Sequence, residues 1–151
     1  MTSNLLGDKK VMQVGLVVEN IDDAVKAWSL LLGVDPPSIT LTDTIDLAHT
    51  KYQDQPSPAQ AKLAFFDLEQ VSLELIQPVG ESSTWNDQLV AHGSSLHHIA
   101  FQIKGMEEQI QGLQKHGLRL VQRGDYQGGR YAYVDGQAQF GAVIELLENL
   151  E

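Results

Sequence analysis

The chain has 151 residues, 42% of them hydrophobic and 20% charged, which is the composition of a globular domain and excludes a disordered or fibrous protein. Its net charge of −10, with ten scattered Lys and Arg residues, argues against a nucleic-acid partner, because phosphate binding requires clustered cations. The absence of cysteine excludes disulfides, thiolate metal ligands and a cysteine nucleophile, so any metal must be bound through oxygen and imidazole.

The N-terminal half begins with a strand and a helix. Residues 1–10 lack the apolar stretch of a signal peptide, and no apolar run approaches the ~20 residues of a membrane span. We therefore expect a cytoplasmic protein that makes no membrane contact. Residues 11–18 are rich in β-branched side chains and predict a strand, and residues 21–32, between the N-cap Asn20 and Gly33, predict a helix. Three further strands are predicted at 38–46, 62–68 and 71–77.

Two polar segments are predicted to be loops. Residues 51–61 contain two prolines and predict a mobile loop within the first half, and residues 78–95, with their glycine and serine breakers, predict the connection between the halves. The second half again begins with a strand, at 96–103, and a helix, at 106–115. It ends with predicted strands at 118–122, 130–134 and 142–147.

The two halves are related by an internal repeat. Superposing residues 13–33 on the strand and helix that begin at His98 places Gln13 on His98, and superposing the later strands pairs Glu74 with Glu145. We therefore predict an α+β fold of two tandem βαβββ modules in a single domain, residues 1–151. Module one covers about residues 11–78 and module two about 96–148.

Polar side chains occupy equivalent positions in these otherwise apolar strands. Strand alternation places Gln13 and His98 on one face, while His97 should face the helices, where core packing or a hydrogen bond would explain it. Glu74 and Glu145 are the polar members of two apolar runs. A desolvated carboxylate costs several kcal/mol unless a cation or a hydrogen-bond network compensates it.

A divalent metal would supply that compensation. One imidazole nitrogen, one amide oxygen and two carboxylates around a dication give a neutral set, and two positions of an octahedron stay open for substrate oxygens. A cluster of polar groups satisfied by hydrogen bonds, without a metal, is the alternative reading.

The segments QVGLVV, FFDLEQVSLELIQP, GSSLHHIAFQI and GAVIELLE resemble the four signature strands of the vicinal oxygen chelate superfamily. That superfamily includes glyoxalase I, methylmalonyl-CoA epimerase, extradiol dioxygenases, and fosfomycin- and bleomycin-resistance proteins. The resemblance covers residues 11–148 and implies a curved mixed sheet around a metal-containing cavity, a small-molecule substrate and a homodimer. It places the metal ligands at Gln13, Glu74, His98 and Glu145. Their chemistry leaves zinc, nickel, cobalt, manganese and iron open.

The ligand set resembles that of one class of glyoxalase I and implies a lyase or isomerase. In such enzymes the metal binds a substrate oxygen next to a C–H group, and a carboxylate takes the proton to form a metal-bound enediolate. The resemblance makes Glu145 a ligand and general base, and Glu74 a ligand and possible second base. Gln13 and His98 would hold the geometry.

The same mechanism also serves methylmalonyl-CoA epimerases, and two functions of other classes are compatible with the same fold. An epimerase is favoured by the AHGSSLHHIAF segment, but residues 57–60 hold no acid where epimerases usually place a catalytic Glu. A protein that binds an antibiotic or another small molecule without chemistry would need no stoichiometric metal. A dioxygenase is disfavoured because that class uses a His, His, Glu triad, whereas Gln13 stands at the first position. Three residues could meet an anionic substrate at the cavity rim or serve surface solubility: Arg119, Arg123 and Arg130.

Overall fold

The computed structural model describes residues 5–150, so residues 1–4 and 151 of the predicted domain lie outside the described part. Within that part, ten strands form one sheet and five helices accompany it. The strands are β1 (Val11–Val17), β2 (Thr40–Leu41), β3 (Lys51–Tyr52), β4 (Gln55–Pro56), β5 (Gln60–Asp67), β6 (Ser72–Val79), β7 (Ser95–Gln102), β8 (Leu120–Tyr126), β9 (Gly129–Val134) and β10 (Val143–Asn149). The helices are α1 (Ile21–Leu32), α2 (Ile45–Ala48), α3 (Thr84–His92), α4 (Met106–Lys115) and α5 (Gln137–Phe140).

The sheet has the order β2-β5-β6-β1-β7-β10-β9-β8-β3-β4. Strands β1 and β7 lie antiparallel at its centre, and each pairs in parallel with a strand of its own half, β6 or β10. The repeat seen in the sequence thus appears as two equivalent pairs of neighbouring strands. The predicted α+β class is confirmed, as a mixed sheet curled into a half-barrel.

The two long helices of the repeat cover one face of the sheet. Helix α1 starts at Asn20, whose side chain accepts a hydrogen bond from the Asp23 backbone N–H, and ends at Gly33 in the left-handed conformation. Its buried Ile21 and Val25 pack on apolar side chains of β5 and β6. Helix α4 packs in the same way on β9 and β10. Burying each aliphatic side chain stabilises the fold by about 1.5–3 kcal/mol, so these contacts hold the helices on this face of the sheet. The opposite face is left free to form a cavity.

Three segments differ from the sequence-based prediction. Residues 38–46 form only the short β2 and then turn into α2. The predicted mobile loop at 51–61 is wrong for its first half, because β3 and β4 form a hairpin that pairs with β8. Gln53 and Asp54 adopt positive φ angles of 49° and 65° at its turn.

The predicted connection at 78–95 contains a helix that the glycine and serine breakers concealed. Helix α3 begins at Ser83, whose hydroxyl accepts a hydrogen bond from the backbone N–H of Asn86. Its first turn reaches the interior of the half-barrel through Thr84 and Trp85, both buried. Across residues 5–150, none of the helices has the length and apolar character needed to cross a bilayer.

Candidate active site

The four polar side chains predicted from the repeat meet at one point on the concave face of the sheet. They stand on the four central strands: Gln13 on β1, Glu74 on β6, His98 on β7 and Glu145 on β10. The Nε2 atom of His98 lies 3.0 Å from Gln13 Oε1, 3.2 Å from Glu145 Oε1 and 3.4 Å from Glu74 Oε1. The fold therefore brings all four together.

Small residues make room for this convergence. Gly15 on β1 lies between Glu74 and His98 in the strand register. A Cβ at this position would lie 2.5 Å from both ring nitrogens of His98, which no real side chain tolerates. The imidazole therefore rests directly on the backbone of β1. Ala100 on β7 takes the equivalent place between Gln13 and Glu145.

The carboxylates of the site are buried without full compensation. Glu74 is 8% exposed, Glu145 4% and His98 0%. The buried Oε1 atoms of Glu74 and Glu145 have no hydrogen-bond partner, because His98 makes its hydrogen bond to Gln13 and faces the carboxylates only as an ion pair. Buried acceptors without partners are rare in folded proteins and often mark a functional site.

The surroundings shift the pKa values of these groups. Burial, and secondarily the charge of Glu145, raise the pKa of Glu74 from 4.5 to about 8, although His98 acts in the opposite direction. Burial alone would lower the pKa of His98, but the two carboxylates outweigh it and raise the pKa. Glu74 and His98 thus hold their protons more tightly than usual, as expected where two acids face each other across an imidazole.

The donor set fits a divalent ion. Among residues 5–150, no group of three or more His, Asp or Glu side chains is arranged so that it could hold a metal ion. The oxygen and imidazole donors nevertheless suit a divalent transition metal, and such an ion would satisfy the two carboxylate oxygens that have no hydrogen-bond partner. The separations of 3.0–3.4 Å from His98 Nε2 also match neighbouring ligands around an ion with bonds of about 2.1 Å, which lie about 3 Å apart.

The site forms the floor of a cavity of about 550 Å³. That volume lies in the range of pockets that bind small molecules. Five aromatic side chains contribute to its walls: Phe65, Trp85, Tyr126, Tyr131 and Tyr133.

The cavity carries negative charge and lacks cationic side chains. Asp43 and Asp125 line it together with the two glutamates of the floor, and none of the ten Lys and Arg residues, all within the described part, does so. Of the two roles left open for the three arginines, contact with a substrate at the cavity rim is not supported, because none of them lines the cavity. Arg123 pairs with Glu107 at 2.5 Å, Arg130 pairs with Glu148 at 2.6 Å, and Arg119 lines a separate shallow hollow.

The orientation predicted for His97 is wrong. The register shifts between Gly15 and Leu16, which face His98 and Leu96, so His97 occupies a β-bulge and escapes strand alternation. Its ring lies 4.9 Å from that of Tyr133 in the cavity wall and contacts His98. The predicted hydrogen bond is present, to the hydroxyl of Thr84.

Sequence reasoning missed the tyrosines of the wall. Tyr131 and Tyr133 stand on β9, and Trp85 Nε1 donates a hydrogen bond to the Tyr133 hydroxyl at 3.0 Å. The alternation of Arg130-Tyr-Ala-Tyr-Val, with both tyrosines on one face, was a signal that could have indicated their position. Trp85 lines the cavity beside them.

Comparison with known proteins agrees with this architecture. The family model of the Glyoxalase/Bleomycin resistance protein/Dioxygenase superfamily matches residues 12–134. The uncharacterized protein YqjC of Bacillus subtilis (strain 168) is 30% identical over 138 residues, which cover 89% of each chain.

Two solved structures share the fold at lower identity. Hypothetical protein BH1468 from Bacillus halodurans C-125 superposes with a TM-score of 0.65 at 21% identity, over 94% of this chain and 95% of that one. Methylmalonyl-CoA epimerase from Mycobacterium tuberculosis superposes with a TM-score of 0.62 at 20% identity, over 100% and 93%. From the family model and the Bacillus relative together, the chain belongs to the glyoxalase/bleomycin resistance protein/dioxygenase superfamily.

Proposed function

We propose that this protein is a metal-dependent lyase or isomerase that removes a proton from a carbon next to a carbonyl or thioester group. One observation carries the proposal. Two buried carboxylate oxygens without hydrogen-bond partners converge with an imidazole nitrogen and an amide oxygen on the floor of a ligand-sized cavity. Such an arrangement is costly for stability alone, and catalysis explains its presence.

In this proposal Gln13, Glu74, His98 and Glu145 hold the divalent ion. The ion, when bound, polarises the substrate oxygen and stabilises the negative charge that develops on it. Glu145 acts as ligand and as general base, and Glu74 as ligand and possible second base, because both carboxylates face the cavity. Gln13 and His98 keep the donor atoms in place, and Trp85 helps to exclude water from the wall.

The charge of the cavity favours a substrate that adds no negative charge. The ion would neutralise the two glutamates of the floor. Asp43 and Asp125 have no Lys or Arg partner in the lining, and Asp125 contacts His49 Nδ1 at 2.9 Å. Both aspartates are exposed, so solvent screens their repulsion of an anion to on the order of 1 kcal/mol each. The aromatic walls also suit a flat, uncharged body. These features support a neutral carbonyl compound over a phosphate-rich thioester of coenzyme A.

The proposal is tested by proton exchange. Purified protein is loaded with each candidate divalent ion, and exchange of the α-proton of 2-hydroxyacetophenone, a neutral α-hydroxy ketone, is followed by NMR in D₂O. We expect exchange with the wild type and none above background with Glu145→Gln. Glu148→Gln is the matched control, because Glu148 stands on the same strand but bonds to Arg130 outside the cavity. Equal exchange by wild type and Glu145→Gln would remove Glu145 as the base.

Capture of a small molecule without chemistry is the second candidate. The aromatic walls favour it, because stacking surfaces can hold a planar ligand without a metal. Quenching of tryptophan fluorescence by 2-hydroxyacetophenone, with and without chelator, in a Trp28→Phe variant that retains Trp85, separates the two functions. Binding that is unchanged by chelator and unaccompanied by proton exchange would support a binding protein.

A further inference from the structure

A buried chain of hydrogen bonds leads from β8 to the back of the candidate metal site. It runs from Gln122 through Thr84, at the start of α3, and His97 to His98, and all four residues are buried. None of the steps proposed above uses Gln122, Thr84 or His97. In each of these hydrogen bonds the donor and the acceptor can be assigned from the neighbouring groups.

The contacts of Gln122 fix the orientation of its side-chain amide. The backbone N–H of Thr84 lies 2.8 Å from one terminal atom of the Gln122 side chain, and this atom must be the carbonyl oxygen because a backbone N–H can only donate. The amide nitrogen then faces the hydroxyl of Tyr131 at 3.0 Å and donates to it. Both ends of the amide are thereby satisfied, and its orientation follows.

The hydroxyl of Thr84 connects Gln122 to His97. Thr84 Oγ1 donates its one proton to Gln122 Oε1 at 3.2 Å. Towards His97 the hydroxyl oxygen can therefore only accept, and His97 Nε2, at 3.1 Å, must carry a proton and donate it.

The second nitrogen of His97 faces its neighbour. His97 Nδ1 and His98 Nδ1 lie 2.8 Å apart, so one of them carries the proton between them. The ring of His97 is fully buried, and the groups it contacts in residues 5–150, the Thr84 hydroxyl, His98 and the Tyr133 ring, supply no negative charge. A second proton on His97 would thus create an uncompensated buried cation. His97 is neutral and accepts, and His98 Nδ1 donates.

We propose that His97, oriented by Thr84 and Gln122, is a positioning residue that keeps a proton on Nδ1 of His98. His98 Nε2, which donates its proton to Gln13 Oε1 in the metal-free protein, is then the nitrogen that gives up a proton and becomes the ligand atom when a metal binds. The far nitrogen of a ligand histidine needs such a partner, because the hydrogen bond there decides which nitrogen has the free lone pair. Here the partner is a second histidine, displaced by the β-bulge from the helix face to the site. The part of this inference that concerns metal binding rests on the proposed function, whereas the position of the proton does not.

Two pairs of variants separate this role from simple packing. His97→Asn places an amide oxygen close to the position of Nδ1 and keeps an acceptor, whereas His97→Leu fills the space without one. Thr84→Ser keeps the hydroxyl of the chain and Thr84→Val removes it. The second pair also applies if His97→Leu fails to fold, which circular dichroism and thermal unfolding would show.

The first measurement is the affinity for Zn²⁺, by competition with a chromophoric chelator. We expect His97→Leu and Thr84→Val to bind about 10–100-fold more weakly than wild type, as is typical when the partner of a ligand histidine is lost. His97→Asn and Thr84→Ser should stay close to wild type. Equal affinities within each pair would overturn the positioning role.

The second measurement does not depend on the metal. In protein with ¹⁵N-labelled histidine, treated with chelator, long-range ¹H–¹⁵N spectra show which nitrogens carry protons. We expect a proton on Nδ1 of His98 and on Nε2 of His97, and their absence would overturn the inference. If wild type binds no Zn²⁺ but these protons are found, the proposed function fails while the assigned direction of the chain stands.

Discussion

Replacing Glu74 by Gln should raise the stability of the protein without metal and lower its affinity for metal. Burial and Glu145 raise the pKa of Glu74 from 4.5 to about 8, so at pH 7 folding requires this carboxyl to take up a proton. That uptake costs about 1.4 kcal/mol for each unit by which the pH exceeds the pKa of Glu74 in the unfolded chain, or roughly 3 kcal/mol at pH 7. Glutamine avoids this cost, and since 1 kcal/mol moves the melting temperature by about 2–4 °C at this size, Tm should rise by up to about 10 °C.

The same variant should bind divalent metal at least about 100-fold more weakly, because it loses a charged ligand and not merely an orienting partner. Calorimetric unfolding in chelator and Zn²⁺ titration measure the two effects. Glu148→Gln is the matched control: Glu148 is also 8% exposed, but it accepts hydrogen bonds from Arg130 and from the backbone N–H of Gly105. We expect that control to lose about 1–3 kcal/mol of stability and no metal affinity. A destabilised Glu74→Gln protein with unchanged affinity would refute the reasoning.

Three further results are expected. Gly15→Ala should displace the His98 ring and weaken Zn²⁺ binding by more than about tenfold, the lower limit for loss of an orienting contact, and unchanged binding would contradict the close packing described here. Because the folded-state pKa values of Glu74 and His98 are both raised, the metal-free protein holds extra protons above about pH 6.5, and Tm should fall between about pH 6.5 and pH 8. Below about pH 6.5 the lowered pKa of buried His97 acts in the opposite direction, so the curve should be flatter there, and a Tm that rises between about pH 6.5 and pH 8 would contradict this. Replacing Asp43 and Asp125 by Asn should strengthen binding of the anion benzoylformate several-fold, since each removed charge is worth on the order of 1 kcal/mol, while 2-hydroxyacetophenone should be little affected.

The central strands and both long helices could be predicted because their signals are local. The β-branched run before Asn20 and the glycine after the first helix are sufficient, and α1 covers the range predicted, Ile21–Leu32. The convergence of Gln13, Glu74, His98 and Glu145 followed from the repeat, since equivalent positions in duplicated strands lie near one another. Their role as metal ligands stays a prediction.

The features that the sequence did not reveal depend on contacts between distant segments. The hairpin of β3 and β4 forms because β8 offers a partner strand, and a polar segment with two prolines carries no local sign of it. Helix α3 has little amphipathic pattern and is held by the side chains that its first turn buries, Thr84 and Trp85. His97 was misplaced because a single inserted residue in β7 reverses the alternation, and nothing in the LHHIAF segment marks a bulge.

The pairing of the central strands explains why this site needs both halves of the chain. In one row of the register Gly15 separates Glu74, from its own half, and His98, from the other. In the second row Ala100 separates Glu145 from Gln13 in the same way. Each half therefore supplies one carboxylate and one neutral donor, and neither half alone brings two acids together. Duplication places equivalent side chains face to face across β1 and β7, where like charges accumulate, and the proposed divalent cation would offset that repulsion through the same four side chains.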